Sequence, residues 1–211
     1  MKYIIADTET SSVTAAIAEM YTFGAFSIET NSNGLLDFNT IKGIHRYFNT
    51  DKEVPGDAAA VNGLSRKLLL EKSNGDYLED CYKELDNYIY QPDAILAGYN
   101  VNYDRTVITN NCLRAGINPP KWKNVIDIMQ EQKCLFKGTP YERIPRIKLV
   151  KAADVIFREK GLYTKQQLHD AFSILVEACR IPESSTMYHT ALYDAFITMM
   201  ILDRILAYRN A

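Results

Sequence analysis

Two carboxylates separated by one residue follow a short apolar run near the start of the chain, where Asp7 and Glu9 lie in the stretch Tyr3-Ile-Ile-Ala-Asp-Thr-Glu-Thr10. On a β-strand, side chains alternate between faces, so both acids would project to the same side, about 6.6 Å apart along the strand. Two acids held so close repel each other unless a proton or a cation lies between them. Because oxygen ligands favour Mg²⁺ or Mn²⁺ over zinc, the pair suggests a divalent metal site, although an ordinary exposed strand end has the same pattern.

Two further acids follow elements that could bring them to the same place. Asp104 lies where a short apolar strand leads into a helix, a position that would also suit an ordinary helix N-cap. Asp194 lies near the start of the last helix, five residues after His189. In a continuous helix those two side chains would point about 140° apart. His189 and Asp194 can therefore address one site only if the helix begins between them, and the composition of residues 182–186 favours such a break.

The elements that must position these acids are predicted from hydrophobic periodicity and turn residues. Strands are predicted at 2–8, 20–30, 36–40, 94–98 and 123–129. Helices are predicted at 58–64, 65–70, 76–90, 104–115, 149–160, 165–178 and 191–208. The first three strands suggest an antiparallel meander, and helices and strands alternate after it. This order indicates an α/β fold with a mixed central sheet flanked by helices.

Length and composition describe an ordinary globular protein. Its 211 residues, 47% hydrophobic and 24% charged, fit one domain spanning 1–211. The four cysteines are scattered without metal-ligand spacing, which favours a reducing compartment over a disulfide framework. The N-terminal apolar run is too short for a secretory signal, and no apolar run is long enough to span a bilayer. We therefore expect a cytoplasmic protein with no membrane partner.

The net charge of −2 conceals an asymmetry along the sequence. Residues 121–165 hold eleven Lys and Arg against five acids, and the rest of the protein is correspondingly acidic. A basic segment attached to an acidic body fits a surface that grips phosphates beside a metal site. A solvated surface with charges facing many directions fits the same composition equally well.

Three short motifs resemble, in order, the three exonuclease motifs of the DEDDh 3′→5′ exonucleases: Asp7-x-Glu9, Asn100-x-x-Tyr103-Asp104 and His189-x-Ala191-x-x-Asp194-Ala195. That family includes the proofreading subunit of bacterial replicative polymerases, RNase T and oligoribonuclease. Residues 61–65 are similar to the segment between the first two motifs that contacts the 3′-terminal nucleotide in many members. The resemblance covers nearly the whole sequence in the correct order and spacing.

The resemblance implies a ribonuclease H-like fold and hydrolysis of nucleic acid from the 3′ end to nucleoside monophosphates. It implies that two Mg²⁺ or Mn²⁺ ions are held by four acids: Asp7, Glu9, Asp104 and Asp194. It also implies that His189 is the general base. Phosphodiester hydrolysis independently requires an activated water and a stabilised leaving oxygen, which two metal ions can supply. The implied partner is a single-stranded DNA or RNA 3′ end, with DNA favoured, and a polymerase or replication protein is a further implied partner. RNA trimming and a catalytically silent binding module are the alternatives.

Substrate contacts are predicted from two sources. The motif positions suggest a first group of residues: Thr8, Thr10, Asn62, Asn100 and Tyr103. The interval between Asp127 and His189 is longer than compact relatives need, so residues 131–165 are predicted to form a basic insertion before the C-terminal helices. Within it, a second group is predicted to guide the substrate backbone: Arg143, Arg146, Lys148 and Lys151. Tyr99 and Tyr103 could stack on a base, or pack in the core.

Overall fold

Five strands form one mixed sheet in the order β3-β2-β1-β4-β5 in the computed structural model, which describes residues 1–144, 146–182 and 189–211. The strands are β1 Lys2–Thr10, β2 Met20–Thr30, β3 Leu36–Tyr47, β4 Ile95–Gly98 and β5 Asn124–Asp127. The first three pair antiparallel, and β4 and β5 add to the edge of β1 in parallel. The predicted meander and mixed sheet are confirmed, and β3 continues past its predicted end at residue 40.

Helices cover both faces of this sheet. They are α1 Gly56–Asn62, α2 Arg66–Ser73, α3 Leu78–Ile89, α4 Val101–Arg114, α5 Ile128–Glu131, α6 Leu149–Ala153, α7 Lys165–Ala178 and α8 Ala191–Asn210. A 3₁₀ turn, Gln132–Phe136, follows α5, and a π-helix, Asp154–Glu159, continues α6. The helix predicted over 149–160 is therefore α-helical only in its first half. None of the helices in the described ranges is both long and apolar enough to cross a bilayer.

Strand β1 is the centre of the sheet, and its side chains serve two separate cores. Tyr3 and Ile5 pack with α7 and α8 on one side, which we call the α8 face. Ile4 and Ala6 pack with α3 and α4 on the other side, which we call the α4 face. Because both faces are covered, β1 is apolar from Tyr3 to Ala6. The same alternation directs Asp7 and Glu9 to the α8 face and Thr8 to the α4 face.

Residues 131–165, predicted as an insertion, form part of the core. Leu135, Phe136, Ile147 and Phe157 are all buried and pack on the α8 face with the residues of α8. The stretch is therefore anchored to the α8 face through these buried residues.

Candidate metal centre

Three carboxylates meet at the carboxyl end of β1. Asp7 and Glu9 come from the strand, and Asp194 comes from the first turn of α8, the helix that covers the same face of the sheet. One oxygen of each acid can be chosen so that all three lie within 4.8 Å of one another. This spacing suits a shared cation, and it brings together residues that are nearly 190 positions apart in the sequence.

A glycine allows α8 to come this close. Gly24 of β2 is the register partner of Asp7. A Cβ atom on Gly24 would lie 2.3 Å from the backbone nitrogen of Leu192 and 2.5 Å from the carbonyl carbon of Ala191. The first turn of α8 therefore rests directly on the bare backbone of β2, which sets Asp194 beside Asp7. Sequence reasoning missed this residue, although a glycine inside a β-forming run is a recognised sign of close backbone approach.

Asp104 reaches the same end of the sheet from the α4 face. It is only 4% exposed, and its Oδ1 accepts hydrogen bonds from Thr8 N–H at 3.0 Å and Thr8 Oγ1 at 2.8 Å. Helix α4 begins at Val101 with Asn100 as its N-cap, so the N-cap interpretation of Asp104 and the predicted helix start at 104 are both wrong. Asp104 does not belong to the mutual 4.8 Å group, but its charge raises the pKa of both Asp7 and Glu9.

The four acids have strongly raised pKa values. Burial is the largest cause for each, and it is followed by neighbouring carboxylates for Asp7 and Glu9. The pKa of Glu9 rises to about 9, and those of Asp104 and Asp194 rise to about 7. The pKa of Asp7 also lies well above its usual range. Four acids in one buried or half-buried cluster cannot all ionise near neutral pH unless positive charge is placed among them.

The donor set fits a hard divalent cation. Asp194 Oδ2 accepts a hydrogen bond from the backbone N–H of His189 at 3.3 Å, whereas Asp194 Oδ1 is buried with no hydrogen-bond partner in the described part of the protein. A buried carboxylate oxygen without a partner is costly unless a cation or proton satisfies it. The assembled ligands are oxygens alone, which suits Mg²⁺ or Mn²⁺.

His189 lies in the loop immediately before α8, which begins at Ala191 with Thr190 as its N-cap. The helix therefore starts between His189 and Asp194, as a shared site requires. The predicted break at 182–186 falls largely outside the described residues, which resume at 189. His189 is exposed, and its backbone, at φ 66°, bonds Asp194.

Asn100 adopts the same left-handed conformation, with φ 67°, at the turn before α4. Its backbone N–H donates to Asp127 Oδ1 at 3.1 Å, and that oxygen also accepts from Met129 N–H at 3.0 Å. Left-handed backbone is uncommon outside glycine and is often held in place at functional sites. Asp127 therefore ties the end of β5 to the turn that positions α4. Beyond an acid at a strand end, no sequence signal pointed to this role.

A cleft of about 440 Å³ opens beside Glu9. It is lined by the loop after β1, by α1 and by the start of α4, and four of the predicted substrate residues lie in its wall: Thr10, Asn62, Asn100 and Tyr103. Thr8 does not, because its side chain is buried against Asp104.

Hydrogen bonds brace this wall. The Tyr103 hydroxyl lies 2.5 Å from Thr10 Oγ1 and donates to the Ser12 carbonyl oxygen. Asn62 Nδ2 donates to the Thr10 carbonyl oxygen at 3.4 Å. The polar ends of Tyr103 and Asn62 therefore hold the loop after β1 in place.

The four basic residues predicted to guide the substrate are all exposed, and none lines the cleft: Arg143, Arg146, Lys148 and Lys151. Lys151 Nζ lies 3.0 Å from Glu159 Oε1 and 5.0 Å from the centre of the Tyr141 ring. The other three form no ion pair with any residue in the described ranges. Lys151 is thus the least available of the four for binding a phosphate.

Comparison with known proteins supports the fold. No family model and no curated protein matches the sequence. The structure is similar to that of exonuclease I, in a structure said to suggest how processivity is achieved, with TM-score 0.65 and 18% identity over 98% of this protein and 42% of that one. A zinc-bound complex of E. coli exonuclease I with single-stranded DNA gives TM-score 0.59 and 18% identity over 96% and 39% of the two proteins. The moderately thermophilic exonuclease I from Methylocaldum szegediense gives 0.61 and 16% over 96% and 39%.

The protein therefore spans about two fifths of the length of these structural neighbours. The likeness establishes a ribonuclease H-like α/β fold, as the sequence predicted, with a mixed five-stranded sheet flanked by helices.

Proposed function

We propose that this protein is a DEDDh-type 3′→5′ exonuclease that hydrolyses single-stranded nucleic acid ends, with DNA favoured, to nucleoside monophosphates. One observation carries the proposal: Asp7, Glu9 and Asp194 place carboxylate oxygens within 4.8 Å of one another at the end of the central strand. Asp194 Oδ1 supports it, because this buried carboxylate oxygen has no hydrogen-bond partner in the described ranges and a cation could satisfy it.

In the proposed mechanism the protein supplies a negatively charged cradle and a base. Asp7, Glu9 and Asp194, with Asp104 behind them, would hold two Mg²⁺ or Mn²⁺ ions. Such ions acidify a bound water and stabilise the leaving oxygen in phosphodiester hydrolysis. Because four ionised acids offset two divalent cations, a phosphate enters a nearly neutral site. His189, in the loop beside Asp194, would accept the proton of the attacking water.

The preference for DNA rests on the structural neighbours, since exonuclease I has been crystallised with single-stranded DNA. The cleft beside Glu9 would receive the terminal nucleotide, with Thr10, Asn100 and Tyr103 in its wall. Glu9 of the acid cluster lies in the wall of this cleft, so a strand end bound in the cleft would adjoin the cluster.

The experiment is digestion of three 5′-labelled substrates: single-stranded DNA, duplex DNA and single-stranded RNA. Each is incubated with Mg²⁺ or Mn²⁺, and again with EDTA. We expect single-stranded DNA to shorten from its 3′ end with release of mononucleotides, only when a metal is present. Intact 3′ ends under every condition would refute the proposal. Faster shortening of RNA than of DNA would show that the protein is an exoribonuclease.

The matched variants are Asp7→Ala and Asp86→Asn. Asp7 lies in the acid cluster, whereas Asp86 is exposed on α3 and outside it. Loss of activity in Asp7→Ala with full activity in Asp86→Asn would link hydrolysis to the cluster. Equal activity in both would trace the nuclease to a contaminant.

A further inference from the structure

Tyr99 packs on the α8 face, the face of the sheet that carries Asp7 and Glu9, which its sequence position alone does not reveal. Strands β1 and β4 run parallel with Ile5 paired to Ala97, so Tyr99 follows β4 at the level of Asp7. Ile95 and Ala97 face the α8 side, and Tyr99 continues their alternation and packs against the same core. Tyr99 and Asp7 therefore lie on the same face of the sheet.

The Tyr99 hydroxyl lies at a junction of hydrogen bonds that joins three parts of the protein. It donates to the backbone carbonyl of Ile147 and accepts a hydrogen bond from Gln132 Nε2 at 2.7 Å. Gln132 is fully buried, and its Nε2 also donates to the Met129 carbonyl oxygen at 3.3 Å. The junction therefore ties the backbone at residue 147 to the end of β4 through a fixed side chain.

The segment around Ile147 presents its charges outward. Ile147 and Leu149 are buried, whereas Arg146 and Lys148, which alternate with them, are exposed. Arg143, a few residues earlier, is exposed as well. We call Arg143, Arg146 and Lys148 the basic triad. Of the four basic residues predicted to guide the substrate, these three form no ion pair in the described ranges. Arg146 and Lys148 flank Ile147, the residue to which the Tyr99 hydroxyl is bonded.

We propose that the Tyr99 hydroxyl is a latch that fixes the basic triad over the α8 face, the face of the sheet that carries the acid cluster, and that the triad binds the phosphate backbone of the strand whose end is being cut. Tyr99 is then a positioning residue for substrate binding, and its hydroxyl, not its ring face, does this work. The binding part of this inference rests on the proposed exonuclease function. The latch itself does not, because it concerns only how the backbone at 147 is held.

The latch is tested with Tyr99→Phe, which keeps the buried ring and removes the hydroxyl. Tyr90→Phe is the matched control, because the Tyr90 hydroxyl likewise donates to a backbone carbonyl, that of Asn118, on a different part of the surface. Trypsin cleavage after Arg143, Arg146 and Lys148 is followed by mass spectrometry without nucleic acid. We expect cleavage there to accelerate by roughly three- to tenfold in Tyr99→Phe and to stay at the wild-type rate in Tyr90→Phe. Equal rates in Tyr99→Phe and wild type would overturn the latch.

The consequence for binding is measured separately. A fluorescent single-stranded oligonucleotide is titrated into Asp7→Asn protein with and without Tyr99→Phe, so that cleavage does not interfere with the measurement of Kd. KM and kcat are measured separately, in wild-type protein and in the single variant Tyr99→Phe. We expect Kd and KM to rise by roughly three- to tenfold with kcat nearly unchanged. A fall in kcat alone, or unchanged affinity despite faster proteolysis, would overturn the proposed link to substrate. If wild-type protein binds no oligonucleotide, the proposed function and the binding part fail together, while the proteolysis result still decides the latch.

Discussion

Thr8 holds Asp104 by a single carboxylate oxygen, to which both the backbone N–H and the hydroxyl of Thr8 donate. Asp104 comes from α4, on the opposite side of the sheet from the acids of β1. Because Thr8 points to the α4 face and its two neighbours point to the α8 face, one short stretch of β1 touches both sets of acids. Oδ2 of Asp104 takes no part in the contact with Thr8.

The Thr8 hydroxyl is expected to matter through this contact. A hydrogen bond to a charged group contributes about 1.5–3 kcal/mol, so Thr8→Val should lower Mn²⁺ affinity and kcat by roughly ten- to a hundredfold. Thr8→Ser, which restores the hydroxyl, should behave like wild type. Calorimetric titration with Mn²⁺ and steady-state kinetics on single-stranded DNA measure the two effects. Wild-type values in Thr8→Val would show that Asp104 needs no such support.

The close approach of α8 to Gly24 predicts the effect of one added methyl group. Gly24→Ala places a Cβ against the Ala191–Leu192 backbone, which cannot move without displacing Asp194. Overpacking of this kind costs about 1–3 kcal/mol of unfolding free energy. We expect a lower Tm and, in protein that is still folded, weaker Mn²⁺ binding.

Gly43→Ala is the matched control for Gly24→Ala. Its Cβ would crowd the Ile181 side chain at 2.7 Å and the Phe26 ring, away from the acids. We expect Gly43→Ala to lower Tm without weakening Mn²⁺ binding. Equal losses of metal affinity in the two variants would trace the effect to general destabilisation.

The raised pKa values of the acids predict how the stability of the metal-free protein depends on pH. The folded pKa values of Asp104 and Asp194 are about 7 against an ordinary 3.8, so the folded state retains protons that the unfolded state releases. The contribution of these two groups to the free energy of unfolding is therefore complete below about pH 4, and it is lost as the pH rises from about 4 to about 7. The pKa of Glu9, about 9, extends the fall to higher pH.

Thermal denaturation in EDTA between about pH 5 and about pH 9 measures this fall, which we expect as a Tm that decreases as the pH rises. Mn²⁺ should abolish it, because the cation replaces the protons. Asp194→Asn in EDTA should be more stable than wild type at the alkaline end of this range, since one repelling charge is removed. A metal-free Tm that rises steadily across the whole range would contradict the electrostatic account.

His189 is predicted to act on the water and not on the metals. His189→Ala should lower kcat by about 10²–10⁴-fold, the usual contribution of a general base. Because His189 contacts Asp194 through its backbone, Mn²⁺ affinity should stay at the wild-type level. A pH–rate profile and a Mn²⁺ titration of the variant separate the two roles. Full activity in His189→Ala would exclude the histidine as the base.

The basic triad predicts the salt dependence of binding. A triple variant in which Arg143, Arg146 and Lys148 are all replaced by Gln should bind single-stranded DNA with a weaker salt dependence. The slope of log K for binding against log salt concentration should become shallower by about 2, because each phosphate contact on a single strand contributes roughly 0.7. Lys151→Gln should change the slope little, because Lys151 is already paired with Glu159. An unchanged slope in the triple variant would remove the triad from the substrate path.

The sequence by itself determined the residue types of the site and the elements that carry them. Alternation in β1 put Asp7 and Glu9 on one face, and strong periodicity predicted α7 at the bounds that the structure has. These features depend on neighbours within a few residues, which local physics controls. Local patterns were less successful at some element ends: α4 begins three residues before its predicted start, directly after Asn100, which adopts a left-handed conformation.

Only the tertiary structure decided how the acids meet and what surrounds them. The contact of Gly24 with α8, the grip of Thr8 on Asp104 and the junction at Tyr99 all join residues far apart in the sequence. The sequence suggested substrate contact for Thr8, whereas the structure gives its hydroxyl to Asp104. Such partnerships depend on the register of paired strands and on the distance between a helix and a sheet. Those quantities are set when the whole core packs, and no short stretch of sequence contains them.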